Sequence, residues 1–401
     1  MSSVLDAVQS NSARILQLLI AIPGSIRQKE LDRALLQAAK LGYHECALHL
    51  LQAGADPDFS DASSNSPLKI SVENGHTQVA KVLIAAECDI NKRTNSGSTA
   101  LHFAARYGKC DSVDLLLAAN VNPTIRDSAG NTPLISAAKA QQVPVMRRLL
   151  QVKCAINAKN KEGMTALHYA CLTGMGVELL INAGADLNVK DTVGNTPIII
   201  AATEGLCKTI RKLCLANCDV NLCNTDQQRT ALHYMAMKGH VECVEELLYA
   251  GAHPDIPDAG GCTPLWHAIN RNQIGVAKLL LRSNCGFGFK NYSFKCDTSM
   301  LQLALEKGHP EIVKMLVIAG CDSHRLGIWL ANENIEQVIR ENVGLWDWLQ
   351  EMAATPNTLK QLCRLCVREA MNHEVICKTE HLFLPQAMKD YIALKELDDY
   401  H

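Results

Sequence analysis

The chain has 401 residues, 48% of them hydrophobic, and its 39 Lys and Arg against 41 Asp and Glu leave a formal charge of −2. A nucleic-acid footprint would be strongly basic, so nucleic acid is not expected among its partners. The apolar stretch from Ile15 to Ile22 is too short to cross a bilayer, and Met1-Ser2-Ser3-Val4-Leu5-Asp6 lacks a basic signal region, so no membrane partner is expected either. Seventeen cysteines in a chain that reads as leaderless act as reduced, small apolar residues, which places it in the cytoplasm with the nucleus also open to it.

A globular chain of this length ordinarily splits into two or three domains, unless it is built of units that pack only on their neighbours. Its first segments, Val4-Leu5-Asp6-Ala7 and Ile15-Leu16-Gln17-Leu18-Leu19, pattern as two short helices and form a capping unit over residues 1–32. A degenerate unit follows at Arg33-Ala34-Leu35-Leu36-Gln37-Ala38. Then one cassette recurs seven times, as Ser66-Pro67-Leu68, Thr99-Ala100-Leu101-His102, Thr132-Pro133-Leu134, Thr165-Ala166-Leu167-His168, Thr196-Pro197-Ile198, Thr230-Ala231-Leu232-His233 and Thr263-Pro264-Leu265. The steps are 33, 33, 33, 31, 34 and 33 residues. Each cassette has a mechanical logic. Its Ser or Thr caps a helix, its Pro tolerates the first helical position, its Leu or Ile begins a buried stripe, and its His links neighbouring units by hydrogen bonds. Gly108, Gly174, Gly205 and Gly239 break the chain before a second helix. A last degraded copy, Ser299-Met300-Leu301-Gln302-Leu303-Ala304, brings the count to about nine, ending near Asp322.

A fixed period near thirty-three with this cassette resembles the ankyrin repeat, a turn plus two antiparallel helices. The fold class expected is all-α, an ankyrin-repeat solenoid with a small helical C-terminal domain. The unit at Thr165 is shortened around Gly174-Met175-Gly176, which clips its second helix or its turn and should bend the stack locally.

The resemblance implies a ligand face built from loop fingers and first helices. Read in register it presents Phe103, Arg106 and Tyr107, then Tyr169, Leu172 and Thr173, then Tyr234, Met237 and Lys238, then His267, Asn270 and Arg271. Tyr and Arg are enriched where protein partners bind. Lys92, Arg93, Arg126, Lys159, Lys161 and Lys190 lie alongside on the fingers, a basic strip suited to an acidic segment of a protein substrate, although polar residues there also serve solubility. The stretch from Phe287 to Cys296 adds Phe287, Phe289, Tyr292 and Phe294, either as substrate anchors or as a cover for the end of the core.

After Asp322 the period stops, and residues 323–354 form a Trp-rich connecting segment with Trp329, Trp346 and Trp348. Beyond Pro356 an amphipathic helix sets Leu359, Leu362, Cys363, Cys366, Val367 and Ala370 on one face. An apolar face of that kind is buried against something, the last repeat or a partner. Thr358-Leu359-Lys360-Gln361-Leu362-Cys363-Arg364-Leu365-Cys366-Val367-Arg368 resembles the elongin-binding half of a SOCS box. About twenty residues later, Leu384-Pro385-Gln386-Ala387-Met388-Lys389-Asp390-Tyr391-Ile392 resembles its cullin-contacting half. Together, over residues 355–401 behind a repeat domain of residues 1–322, they resemble the ankyrin-repeat and SOCS-box family.

That resemblance implies a substrate receptor of a cullin–RING ubiquitin ligase. Leu359 would enter an apolar pocket of elongin C beside Cys363 and Val367, with Leu362 and Cys366 on the same face and elongin B accompanying elongin C. Leu384, Pro385, Met388, Tyr391 and Ile392 would present the complex to a cullin of the fifth class with its RING-box protein. Phe383 stands where the family often has the first Pro of a Leu-Pro-Leu-Pro run, so the cullin is less firmly implied than elongin. The rival reading is a plain interaction scaffold whose tail helix packs on its own last repeat. No catalytic constellation, phosphate loop or RING is present in the sequence, so no enzyme activity, cofactor or metal is expected. Cys363-x-x-Cys366 with His373, Cys377 and His381 loosely suggests zinc, but the apolar helix face explains the two cysteines better. Cys207, Cys214, Cys218 and Cys223 read as small core residues.

Overall fold

The cassette Ser or Thr sits in extended conformation, and each first helix begins one residue after it. The computed structural model describes residues 3–22, 26–283, 285, 300–319, 321, 343–354, 386 and 389. Two kinds of cap recur. Where Pro follows, the hydroxyl accepts a backbone N–H three residues on, from Lys69 to Ser66 at 3.2 Å, Ile135 to Thr132 at 3.4 Å and Trp266 to Thr263 at 3.4 Å. Where His occupies the third helical position, the Thr99–His102, Thr165–His168 and Thr230–His233 pairs close reciprocal capping boxes. Thr196 departs from this pattern. Its buried hydroxyl makes no hydrogen bond.

The chain divides into two units, residues 1–186 and 187–401. The first holds α1 (Ser3–Gln9), α2 (Ala13–Ile20), α3 (Gln28–Leu41), α4 (His44–Gln52), α5 (Pro67–Asn74) and α6 (Thr77–Ala85). It continues with α7 (Ala100–Arg106), α8 (Cys110–Ala118), α9 (Pro133–Lys139), α10 (Val143–Leu149), α11 (Ala166–Thr173) and α12 (Val177–Asn182). First helices pack on first helices and second on second, as in α5 on α7, α7 on α9, and α6 on α8. Leu101, Leu116, Leu134 and Leu167 are fully buried between them, each worth about 1.5–3 kcal/mol. The shortening at Gly174-Met175-Gly176 falls in the second helix. α12 has six residues where α8 has nine, and both Gly174 and Gly176 have positive φ.

The second unit holds α13 (Pro197–Glu204), α14 (Cys207–Leu215), α15 (Ala231–Lys238), α16 (Val241–Tyr249), α17 (Pro264–Asn270), α18 (Ile274–Arg282), α19 (Met300–Glu306), α20 (Pro310–Ala319) and α21 (Val343–Ala354). With the capping pair α1–α2, the described residues form ten helix pairs up to α20, in keeping with about nine repeats expected. No strand occurs among the described residues. α21 lies in the Trp-rich segment and is folded, with Leu345 and Leu349 buried and the Lys314 amine 5.9 Å from the Trp348 ring centre.

The expectation that the cysteines are all reduced, small core residues fails at one pair. α14 packs on α16, and Cys207 and Cys243, 36 residues apart, meet there as a disulfide with Cα atoms 5.4 Å apart. Of the other three, Cys218 is buried, while Cys214 and Cys223 are half-buried.

Fingers are tied across repeats by side-chain amides. Asn91 accepts the N–H of Asn122 at 3.0 Å, and Asn157 that of Asp186 at 2.9 Å. In the second unit Asn188 accepts that of Asp219 at 2.9 Å, and Asn221 that of His253 at 2.7 Å. Backbone bonds run in parallel, such as Lys161 N–H to the Ala129 carbonyl at 2.9 Å.

Candidate recognition surface

The first unit places its expected row unevenly. Arg106 is exposed, Tyr107 is 47% and Leu172 38% exposed, and Phe103 is half-buried with the Lys69 amine 4.6 Å from its ring centre. Tyr169 does not lie on the surface. It is 6% exposed, its hydroxyl donates to Glu162 at 3.0 Å and accepts from Asn160 at 3.0 Å, and the Lys139 amine sits 5.5 Å from its ring centre. Burial and the Glu162 carboxylate push its phenol up to about 12. Sequence reasoning missed Asn160 and Glu162 here, since neither belongs to the cassette.

In the second unit Tyr234 is half-buried and accepts from Asn224 at 3.1 Å, and Met237 is half-buried. Lys238 bonds the Thr203 carbonyl, while Arg271 is exposed. His267 is buried rather than presented. Its Nε2 bonds the Asp258 carboxylate at 2.9 Å, which also accepts from Arg229 at 3.1 Å and from the Gly260 and Cys262 amides at 2.9 Å each. Burial works to raise the Asp258 carboxyl, yet the bonds from His267, Cys262 and Arg229 hold it far below the ordinary carboxylate range. Asp258, Cys262 and His267 bring their donor atoms within 4.8 Å of one another. With Arg229 and His267 both turned onto the carboxylate, this is a filled charge cluster, unsuited to a cation. Beside it His233 is held to about 4, chiefly by burial and then by His267.

The basic strip has a structural task. Arg93 donates to the Arg126 carbonyl at 2.7 Å and Arg126 to the Lys159 carbonyl at 2.7 Å, each guanidinium closing on the next finger. Lys190 does the same to the Cys223 carbonyl at 2.8 Å. The first unit nonetheless opens a depression of about 610 Å³ lined by Arg93, Ile125, Arg126, Asp127, Lys159 and Lys161. A second depression of about 550 Å³ lies toward its N-terminal end, among Leu5, Arg33, Leu36, Lys40, Lys69 and Ile70. Extending the same register back through the units at Arg33 and Ser66 would have found it.

Leu359, Leu362, Cys363, Cys366, Val367, Leu384, Pro385, Met388, Tyr391 and Ile392 lie outside the described residues, as do Phe287, Phe289, Tyr292 and Phe294. No helix among the described residues is long and apolar enough to cross a membrane.

Paired antiparallel helices at a fixed period, with bonded fingers between them, define a helical repeat scaffold. Comparison with protein families agrees. Ankyrin repeats (3 copies) match residues 4–94, 35–127, 101–191, 176–258, 198–291 and 258–326, and the SOCS box matches residues 355–393. The chain belongs to the ankyrin-repeat family and carries a SOCS box. It is 31% identical over 199 residues to the Escherichia coli (strain K12) ankyrin repeat protein YahD, covering 45% of this chain and 93% of that one. It is 34% identical over 157 residues to the ankyrin repeat and KH domain-containing protein mask-1 of Caenorhabditis elegans, and 27% over 153 residues to the E3 ubiquitin-protein ligase KEG of Arabidopsis thaliana. Those matches cover 38% and 37% of this chain but only 6% and 9% of the relatives.

Proposed function

We propose that this protein is the substrate-recognition adaptor of an elongin B/C–cullin–RING ubiquitin ligase. The observation that carries the reading is the SOCS box at residues 355–393 behind the ankyrin repeats. Similarity to an E3 ubiquitin-protein ligase supports it more weakly, through the repeats alone. In this reading residues 1–322 hold the target, residues 323–354 connect, and residues 355–401 bind the ligase. Leu359, Leu362, Cys363, Cys366 and Val367 face elongin C, and Leu384, Pro385, Met388, Tyr391 and Ile392 face a cullin, the fifth class being favoured. The adaptor performs no chemistry. It raises the effective concentration of the target near a charged conjugating enzyme, and the partners transfer ubiquitin.

Co-expression with elongin B and C, followed by size-exclusion chromatography with mass determination, tests this. The expected product is a one-to-one-to-one complex. Each apolar anchor is worth about 1.5–3 kcal/mol, so Leu359→Ala with Cys363→Ala should weaken it about a hundredfold or more, with the repeats still folded. A well-behaved monomer indifferent to elongins would instead make the tail a structural cap on a plain scaffold.

A further inference from the structure

Charge in this nearly neutral chain is unevenly spread. Residues 93–161 hold ten Lys and Arg, three Asp and no Glu, a surplus of seven positive charges where the whole chain carries −2. Asp111 and Asp114 belong to α8, a second helix, and Asp114 is paired with Arg148 on α10 at 2.8 Å. The remaining carboxylate, Asp127, is on the finger but is spent locally, bonding the Ala129 and Asn131 amides at 2.9 and 2.8 Å and the Asn131 side chain at 3.1 Å. The depression of about 610 Å³ lies where these facts converge. Arg93, Arg126, Lys159 and Lys161 line it, and its one carboxylate is already satisfied.

We propose that this finger depression of the first unit docks an acidic, extended segment of the target protein, a reading that rests on the repeats being the target-binding part. Arg126 commits one guanidinium nitrogen to the Lys159 carbonyl, and Arg93 commits two, Nε to the Gly97 carbonyl at 3.1 Å and a terminal nitrogen to the Arg126 carbonyl, which fixes both side chains and leaves their remaining N–H groups for a carboxylate. Lys161 holds its own finger through its backbone N–H to the Ala129 carbonyl, so its exposed amine is available to the ligand. An array of cations held by the scaffold loses less side-chain entropy on binding than mobile lysines would. The ion pairs formed are partly exposed, so binding should weaken steeply with salt.

The test uses the full chain and a fluorescein-labelled peptide alternating glutamate and serine, followed by anisotropy at low and at physiological salt, with a lysine–serine peptide and a single-stranded polyuridylate as comparisons. Lys161→Glu alone should weaken the glutamate peptide about threefold, and Lys161→Glu with Arg126→Glu about tenfold. Arg147→Glu with Lys153→Glu makes the same change in net charge away from the depression and should leave binding within about twofold. Equal weakening by that second pair, equal binding of the lysine peptide, or equal binding of the polyuridylate would overturn the proposal. Since Lys161→Glu leaves the finger's backbone bond in place, it keeps the test decisive if the Arg126 change unfolds the finger. Elongin enters no step of the assay, so its outcome is separate from that of the ligase reading.

Discussion

His233 offers a sharp test of how the repeats are held together. Its Nδ1 accepts the Thr230 N–H at 3.1 Å, so the ring proton is on Nε2, which donates to the Cys262 carbonyl at 3.2 Å. A second proton would have to occupy Nδ1, where a backbone N–H already points. The ring is fully buried, with His267 and Arg229 nearby adding repulsion that Asp258 only partly offsets, and it is held to about 4 against an ordinary 6.5. In the unfolded chain the imidazole takes up its proton near 6.5. Between those values the unfolded state binds one proton more than the folded state, so stability rises with pH. The contribution is complete above 6.5 and is lost as pH falls toward 4. At 1.36 kcal/mol per pH unit this amounts to about 3 kcal/mol. His233→Gln cannot titrate. It should be less stable than the wild type at pH 7 by about 1–2 kcal/mol for the lost bonds. The gap should then close or invert by about 3 kcal/mol as pH falls to 4. Repeat arrays need not unfold in one step, so the measurement is hydrogen exchange of the α15 amides, converted to opening free energies at several pH values. A wild-type-to-variant gap that stays constant from pH 7 to pH 4 would refute the reasoning.

Two other substitutions follow from the same accounting of buried polar groups. Asp258→Ala strands Arg229, His267 and two backbone amides at once and should cost about 3–5 kcal/mol in urea unfolding, a loss below about 1 kcal/mol contradicting the cluster described. The contribution of that carboxylate is present above 3.8, its ordinary value, and is lost only as pH falls through its much lower folded value, so it occupies a window below that of His233. Thr196→Val removes a buried hydroxyl without a partner and should leave stability unchanged or raised by up to about 1 kcal/mol, while Thr132→Val should lower it by about 1 kcal/mol. Equal losses in the two urea midpoints would contradict this.

The parts of the fold legible in the sequence are those that act within one repeat. Six of the seven cassette caps, the cross-repeat His and the clipped unit near Gly174 were readable, because helix starts and stops are local chemistry, whereas the uncapped Thr196 was not. The surface row was readable only in part. Register says that Tyr169 and His267 follow the cassette, but the finger of the same repeat decides whether they reach solvent. Asn160 and Glu162 draw Tyr169 inward, and Asp258 does the same to His267. The Cys207–Cys243 disulfide was missed for a similar reason. Each cysteine suits a buried helix position alone, and their meeting depends on how α14 packs against α16. Arg93 and Arg126 looked like surface charge and turned out to hold the fingers in register as well.

The asparagine ladder along the fingers also bears on how the protein is made. Its bonds join residues 29 to 32 positions apart, and the arginine ties span 33. Each repeat therefore finds its stabilising partner in the next stretch of chain to leave the ribosome, with no wait for a distant segment. A nascent chain folding in this way exposes the apolar face of one repeat at a time, which limits the opportunity for two growing chains to stick together.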